Sequence, residues 1–262
     1  MNAAVNKAAV ARSFSRAAVH YDQVAHLQMA IGHALIAGIP AMTRYRNALD
    51  IGCGTGALTR LLHPCCDNLV ALDFAPGMLQ FAREHHGDVI QDFVCADADA
   101  LPFSAALFDL VFSNFVLQWS ADLPALLQSV FRILKPGGEL RFSLPGTDSL
   151  WELKQSWQQA DPAHVHVNHF HDEMSVRTGL QFAGFELISL QPQEQIIYYD
   201  SPRELTRELK TLGAHTVNEG RNAHLTGKRT LAAFLEAYEQ LRGSRGLPAT
   251  WNMILVTARK PH

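Results

Sequence analysis

Residues 50–56, Asp50-Ile51-Gly52-Cys53-Gly54-Thr55-Gly56, set a carboxylate beside three alternating glycines. Glycines at that spacing let a ligand approach the backbone and let the chain visit positive φ, so the segment reads as the cradle of a nucleotide-type ligand. Two further acids stand where apolar runs end: Asp73 after Leu69-Val70-Ala71-Leu72, and Asp97 after the run 90–96. Spacing leaves two ligands open. Gly52, Gly54 and Ala57 satisfy the GxGxxG/A pattern of dinucleotide sites, and Asp73 lies at the ~20-residue distance at which an acid binds a ribose hydroxyl.

Charge sign separates the two. A carboxylate inside the turn, Asp50, receives the cationic amino-acid end of S-adenosylmethionine but would repel a pyrophosphate. The expected cofactor-binding set is therefore Asp50, Gly52, Gly54 and Gly56 in the turn, Asp73 on the ribose and Asp97 on the adenine amino group, with the Ala98 N–H on a ring nitrogen. Asn114, toward the sulfonium, and Met78 complete it. Removing Asp73 should cost cofactor affinity and leave the fold intact. Asp109 begins a strand rather than ending one and reads as structural, because ligands gather at the carboxyl ends of strands.

The elements needed to position these residues are legible around them. Helical spacing runs over 5–18 and 24–37, and the second segment stops at Gly38 and Pro40. Strand-like runs at 48–51, 69–72, 90–96, 108–112 and 140–144 alternate with helical segments at 57–62, 78–85 and 123–134. Such alternation implies βαβ crossovers and an α/β, Rossmann-like parallel sheet covered on both faces. Two more strands, 185–190 and 251–258, complete a seven-stranded sheet. The connection between them is too long for a plain loop, so it reads as a helical insert before the last strand. The expected organisation is an N-terminal helical cap over 1–40, a core over 41–198 and 248–262, and a helical lid or substrate subdomain over 199–247.

Composition excludes several classes. The 262 residues are 48% hydrophobic and 18% charged, which is ordinary for a folded globular chain. A formal net charge of -3 offers no general field for nucleic acid, so none is expected as partner. No apolar run reaches the ~18 residues of a membrane span, and Arg12 and Arg16 interrupt the N-terminal stretch where a secretory signal would need an apolar run. Cys53, Cys65, Cys66 and Cys95 form neither a CxxC pair nor a disulfide framework, and a cytoplasmic location is expected.

The motif 50–56, Leu72-Asp73, Ala96-Asp97, Phe108-Asp109-Leu110-Val111 and Leu134-Lys135-Pro136-Gly137-Gly138 resemble, in order and spacing, the motifs of class I methyltransferases. The flanks are more specific. Phe14-Ser15-Arg16-Ala17-Ala18-Val19-His20-Tyr21-Asp22 with Leu27-Gln28, then Val116-Leu117-Gln118-Trp119, Leu209-Lys210-Thr211-Leu212-Gly213-Ala214 and Glu219-Gly220-Arg221 resemble the biotin-pathway malonyl-acyl carrier protein O-methyltransferases. That resemblance implies methyl transfer from S-adenosylmethionine, leaving S-adenosylhomocysteine, to the free carboxylate of a malonyl thioester on acyl carrier protein or coenzyme A. It implies the first step toward pimeloyl synthesis for biotin.

A carboxylate is already ionised at neutral pH, so no general base is expected. It does need a partner while buried, and the substrate-binding candidates are Tyr21, His20, Lys210 and Arg221, with Gln118 and Trp119 lining the same cavity. On a helix from about Ser201, Arg203, Arg207 and Lys210 share one face that is suited to an acidic carrier protein, or is a solvated face paired with Glu204 and Glu208. His164, His166, His169 and His171 have a zinc-like density but lack a completing acid pair or cysteine, so no metal is expected and the segment reads as a polar loop at the substrate mouth. The alternatives are a methyltransferase for another small carboxylate or a quinone precursor, an NAD-dependent oxidoreductase, and a non-catalytic cofactor-binding regulator.

Overall fold

The computed structural model describes residues 7–211 and 227–262. In chain order the elements are α1 (Lys7–Tyr21), α2 (His26–Ala37), β1 (Tyr45–Ile51), α3 (Thr59–Leu62), β2 (Cys66–Asp73), α4 (Pro76–His86), β3 (Asp92–Cys95), β4 (Phe108–Asn114), α5 (Leu123–Ile133) and β5 (Leu134–Pro145). There follow α6 (Trp151–Ala160), α7 (Glu173–Ala183), β6 (Glu186–Tyr199), α8 (Pro202–Thr211), α9 (Lys228–Glu239) and β7 (Leu247–Arg259). One seven-stranded sheet has the order β3-β2-β1-β4-β5-β7-β6. The first five strands pair in parallel, and β7 runs antiparallel to both β5 and β6. Strand order reverses between β1 and β4, and the crevice outside their carboxyl ends is where an open α/β sheet binds ligands.

Local sequence explains the helices. In α5 the buried residues Leu123, Leu126, Leu127, Val130 and Ile133 recur at i, i+3, i+4, i+7 and i+10, one stripe of a 3.6-residue helix. Asp122 caps it by accepting from the Ala125 N–H at 3.0 Å. Helix α7 is capped by Asp172, which accepts from the Ser175 N–H at 2.6 Å, and stops at Gly184 with φ +95°. Central strands β1 and β4 are mostly buried, and their apolar residues are interrupted by Asp50 in β1 and by Asp109 and Ser113 in β4.

Helices α6 and α7 have no counterpart in the elements expected from the sequence. In α6 the sequence Trp151-Glu152-Leu153-Lys154-Gln155-Ser156-Trp157 mixes polar and apolar types on the buried face, where Glu152 and Ser156 sit beside Leu153. Strand β6 extends to Tyr199 rather than ending near 190. It pairs with a neighbour on one side only, and its alternation of exposed and partly buried residues lacks a continuous apolar run. Strand β5 begins at Leu134, directly after α5.

Glu152 explains its own burial. Its carboxylate, with no exposed surface, accepts from the Thr250 N–H at 3.0 and 3.1 Å and from the Thr250 hydroxyl, fastening α6 to β7. Truncating it leaves the buried Thr250 donors unpaired. Glu152→Ala is expected to cost about 2 kcal/mol in urea denaturation, and Glu152→Gln, which keeps an acceptor, less. Equal midpoints for the two variants would remove the hydrogen-bond account.

Candidate active site

The turn after β1 wraps back onto the end of β2. The N–H groups of Gly52 and Cys53 both donate to the Leu72 carbonyl, at 2.7 and 3.0 Å. Asp73 then reaches into the turn: one carboxylate oxygen accepts from the Gly54 N–H at 3.0 Å and the other from the Ala75 N–H at 2.8 Å.

All three glycines have positive φ, +75°, +55° and +79°, but they are needed for different reasons. A Cβ at Gly52 would lie 2.2 Å from a Val116 methyl, and one at Gly56 would press on Ala82, His86 and Ile90. A Cβ at Gly54 would meet nothing within 4 Å, so this glycine alone faces open space for a ligand. The sequence offers these glycines two roles, ligand approach and positive φ, and all three have the positive φ. At Gly52 and Gly56 it is the protein's own side chains that leave no room.

Beside the turn lies a cavity of about 250 Å³. Its wall beside the turn includes Gly52, Gly54, Asp73, Phe74, Met78 and Asn114. Tyr21, Gln118 and Trp119 line the middle, and Leu153, Trp157, His166, Val167, Phe170 and Leu209 belong to the far wall built by α6, the loop 161–172 and α8. A smaller cavity of about 40 Å³ adjoins it, sharing Tyr21, Gln28, Gly52, Gly54 and Asn114 and adding Asp22 and Asp50. Among the described residues the buried Oε1 atoms of Gln28 and Gln118 have no hydrogen-bond partner.

Electrostatics follow from burial. Asp50 is 2% exposed; burial pushes its carboxyl up to about 7, the Thr59 hydroxyl bond at 2.6 Å opposes the rise, and the nearby Asp73 charge adds to it. Asp73 is 6% exposed and is pushed up to about 6 by burial, against the pull of the N–H groups it accepts from. The Tyr21 phenol is raised well above its usual range, first by burial and then by the charges of Asp73 and Asp22, so it is a neutral O–H donor. Two buried carboxylates and a neutral phenol around a hollow suit a cationic ligand.

Several expected residues stand elsewhere. Asp97 and Ala98 line neither cavity: Asp97, with a side chain 39% exposed, accepts from the Asp99 N–H at 3.0 Å and from the Lys7 ammonium at 2.6 Å. His20 is exposed on α1 and also lines neither cavity, because the helical rotation that turns Tyr21 inward turns His20 out. Gly56 packs behind the turn. Arg221 and the side chain of Lys210 lie outside the described residues. Asn114 lines both cavities, yet its side chain also donates to the Gln28 carbonyl at 3.0 Å and accepts from the Ser143 hydroxyl at 2.7 Å, tying α2 to β4 and β5. Asp109 accepts from Lys135 and the Asn47 N–H, a structural role.

Phe115 and Trp157 are wall residues that the sequence does not single out, while His166 belongs to the histidine segment expected at the substrate mouth. Phe115 follows the end of β4 with φ +58°, an unusual value for a bulky side chain, and packs edge-on against Trp251 at 6.1 Å. In the histidine segment, His164 Nδ1 and His166 Nε2 each lie 2.9 Å from an oxygen of Asp161. Among the described residues no group of three or more histidines, cysteines and acids converges as a metal site.

Residues 49–142 match the methyltransferase domain family. The chain is 43% identical over 98% of its length to the biotin biosynthesis bifunctional protein BioHC of Cellvibrio japonicus, and it spans 51% of that longer protein, about half its length. It is 38% identical over 95% of its length to the malonyl-acyl carrier protein O-methyltransferase of Hahella chejuensis, and covers 89% of it. Its fold is similar to that of the YcgJ protein of Bacillus subtilis, with a TM-score of 0.63, 17% identity and coverage of 89% of this chain and 99% of that one. The seven-stranded sheet, the glycine turn with its buried acids, and this likeness along nearly the whole chain place it in one family: the chain belongs to the malonyl-acyl carrier protein O-methyltransferases.

Proposed function

We propose that the chain transfers the methyl group of S-adenosylmethionine to the free carboxylate of a malonyl thioester on acyl carrier protein, the first step toward pimeloyl synthesis for biotin. The observation that carries this reading is the continuity of the cavity, from the glycine turn and Asp73 to an apolar chamber beneath α6 and α8. Residues of the glycine turn and residues of α6 and α8 thus share one cavity, where donor and acceptor would meet.

S-adenosylmethionine supplies an electrophilic methyl group on its sulfonium. The chain binds and orients it: Asp50 and Asp22 bring negative charge to the small cavity, where the ammonium end belongs, Gly54 leaves open space, and Asp73 meets the ribose hydroxyls. Asp97 uses two of the roughly four acceptor positions of a carboxylate on Lys7 and Asp99, which leaves capacity for an adenine amino group beside the Ala98 N–H. On the acceptor side no base is required, since the substrate carboxylate is ionised. Tyr21 offers it a neutral O–H, while apolar walls strip its water. Arg203 and Arg207 lie exposed on α8, and Glu204 and Glu208 are bonded instead to the Asp200 N–H and the Tyr199 hydroxyl. That leaves the arginines available to an acidic carrier, while Leu209 on the same helix lines the cavity.

The direct test is transfer of labelled methyl to malonyl-carrier protein, with malonyl-coenzyme A and carrier lacking malonate run alongside. Label is expected on the malonyl carrier and absent from the carrier without malonate. Label on neither malonyl thioester sinks the reading, and preference for the coenzyme A thioester removes the carrier from it.

The acids also give the cofactor a pH dependence. S-adenosylhomocysteine retains the ammonium, and its affinity is expected to fall more than about tenfold between about pH 8 and about pH 5.5 as Asp50 and Asp73 take up protons. In the free protein both pKa values lie above the unfolded value, so the folded state holds the extra protons. These two acids therefore make free-protein stability decline as pH rises from about 4 to about 7, and bound ligand opposes that decline. Calorimetric titrations in buffers of different ionisation enthalpy check the linked proton release; a flat affinity across that range contradicts it.

A further inference from the structure

A negatively charged substrate entering an apolar chamber requires a cation or strong donor on its wall. Among the described residues lining the large cavity there is neither lysine nor arginine, and His166 is the one side chain able to carry positive charge. Its side chain is 13% exposed and held on two sides. Its ring stacks on Trp157 at 3.8 Å and 9°, and Trp157 stacks in turn on Phe234 at 4.0 Å and 10°.

The second restraint is Asp161. A carboxylate only accepts, so the 2.9 Å contact requires the hydrogen to sit on His166 Nε2. Nδ1 is then the nitrogen not engaged by Asp161, and an N–H there is a charge-assisted donor when the ring is an imidazolium. One such N–H can share a single carboxylate oxygen with the Tyr21 O–H and leave the other free to act as nucleophile, which a bidentate guanidinium would not.

We infer that His166 receives the terminal carboxylate of the malonyl substrate and thereby selects for it, with Asp161 as its positioning residue; this rests on the malonyl reading above. Trp157 fixes the plane of the ring and Asp161 fixes its rotation. The histidine segment thus gains a role unrelated to metal.

The test uses His166→Gln, which keeps hydrogen bonding to Asp161, and His166→Phe, which keeps the stack on Trp157. Both are expected to raise the KM for malonyl-carrier protein about 30-fold, the range for loss of one charge-assisted hydrogen bond, with kcat changed less than about threefold. S-adenosylhomocysteine affinity should not move. Acetyl-carrier protein, which lacks the carboxylate, should bind the wild type far more weakly than the malonyl form does, and the variants should bind the two alike. Asp161→Asn, which keeps an acceptor, should raise KM less than Asp161→Ala, with kcat held in both. Unchanged malonyl preference in both His166 variants overturns the inference, as does parallel loss of S-adenosylhomocysteine binding, which would make His166 a prop for the wall. Absence of methyl transfer to malonyl thioester by the wild type is a different result and overturns the function together with it.

Discussion

Asp73→Ala is expected to lower S-adenosylhomocysteine affinity by roughly ten- to a hundredfold and to lower the melting temperature as well. The first effect is loss of the buried acceptor for the ribose hydroxyls, a charge-assisted pair worth roughly 1.5–3 kcal/mol. The second comes from inside the protein. Asp73 accepts from the Gly54 and Ala75 N–H groups, so alanine leaves both donors unpaired and frees the turn that the ligand must meet. From sequence, Asp73 reads as a pure ligand contact whose removal spares the fold, and the two backbone bonds correct that reading. Asp73→Asn separates the parts, because it keeps one acceptor oxygen but loses the charge. It should recover much of the melting temperature and little of the affinity, as read by calorimetry and thermal unfolding. If both variants bind the ligand like the wild type, Asp73 has no part in holding it.

What the sequence makes legible is whatever repeats at short range. The strand, glycine turn and helix of 45–62, the acid ending β2, and the amphipathic stripe of α5 follow from neighbouring residues, and the structure keeps each of them. The far wall is a different matter. Trp157 reaches the cavity only because α6 forms and Glu152 clamps it to Thr250, a residue 98 positions away. His166 depends in turn on Trp157 and Asp161, so a histidine-rich segment that resembles a metal motif in sequence becomes a wall held by stacking. Asp97 shows the opposite limit: its position at the end of a strand is readable, but the Lys7 ammonium that sits against it comes from 90 residues upstream. Tyr21 and His20 are adjacent in one motif and both candidates there, and the rotation of α1 turns the first inward and the second out.

Gly52→Ala is expected to abolish measurable cofactor binding and destabilise the protein by about 3 kcal/mol, and the cost has two separable sources. Backbone at φ +75° disfavours any side chain, by roughly 1–2 kcal/mol. The new methyl would also stand 2.2, 2.7 and 2.9 Å from three Val116 carbons, which requires a stiff β-branched side chain to move. Val116 lines the cavity, and its carbonyl accepts from the Trp119 N–H at 2.9 Å, so shifting it moves the turn that carries Gln118 and Trp119. Shortening Val116 to alanine in the Gly52→Ala background should recover the steric share, about 1–2 kcal/mol, and leave the backbone share. A double-mutant cycle of urea midpoints over the two positions reads this coupling. Additive effects would show that Val116 does not limit Gly52, and a Gly52→Ala protein with wild-type affinity would mean that the turn tolerates a side chain where the structure leaves no room for one.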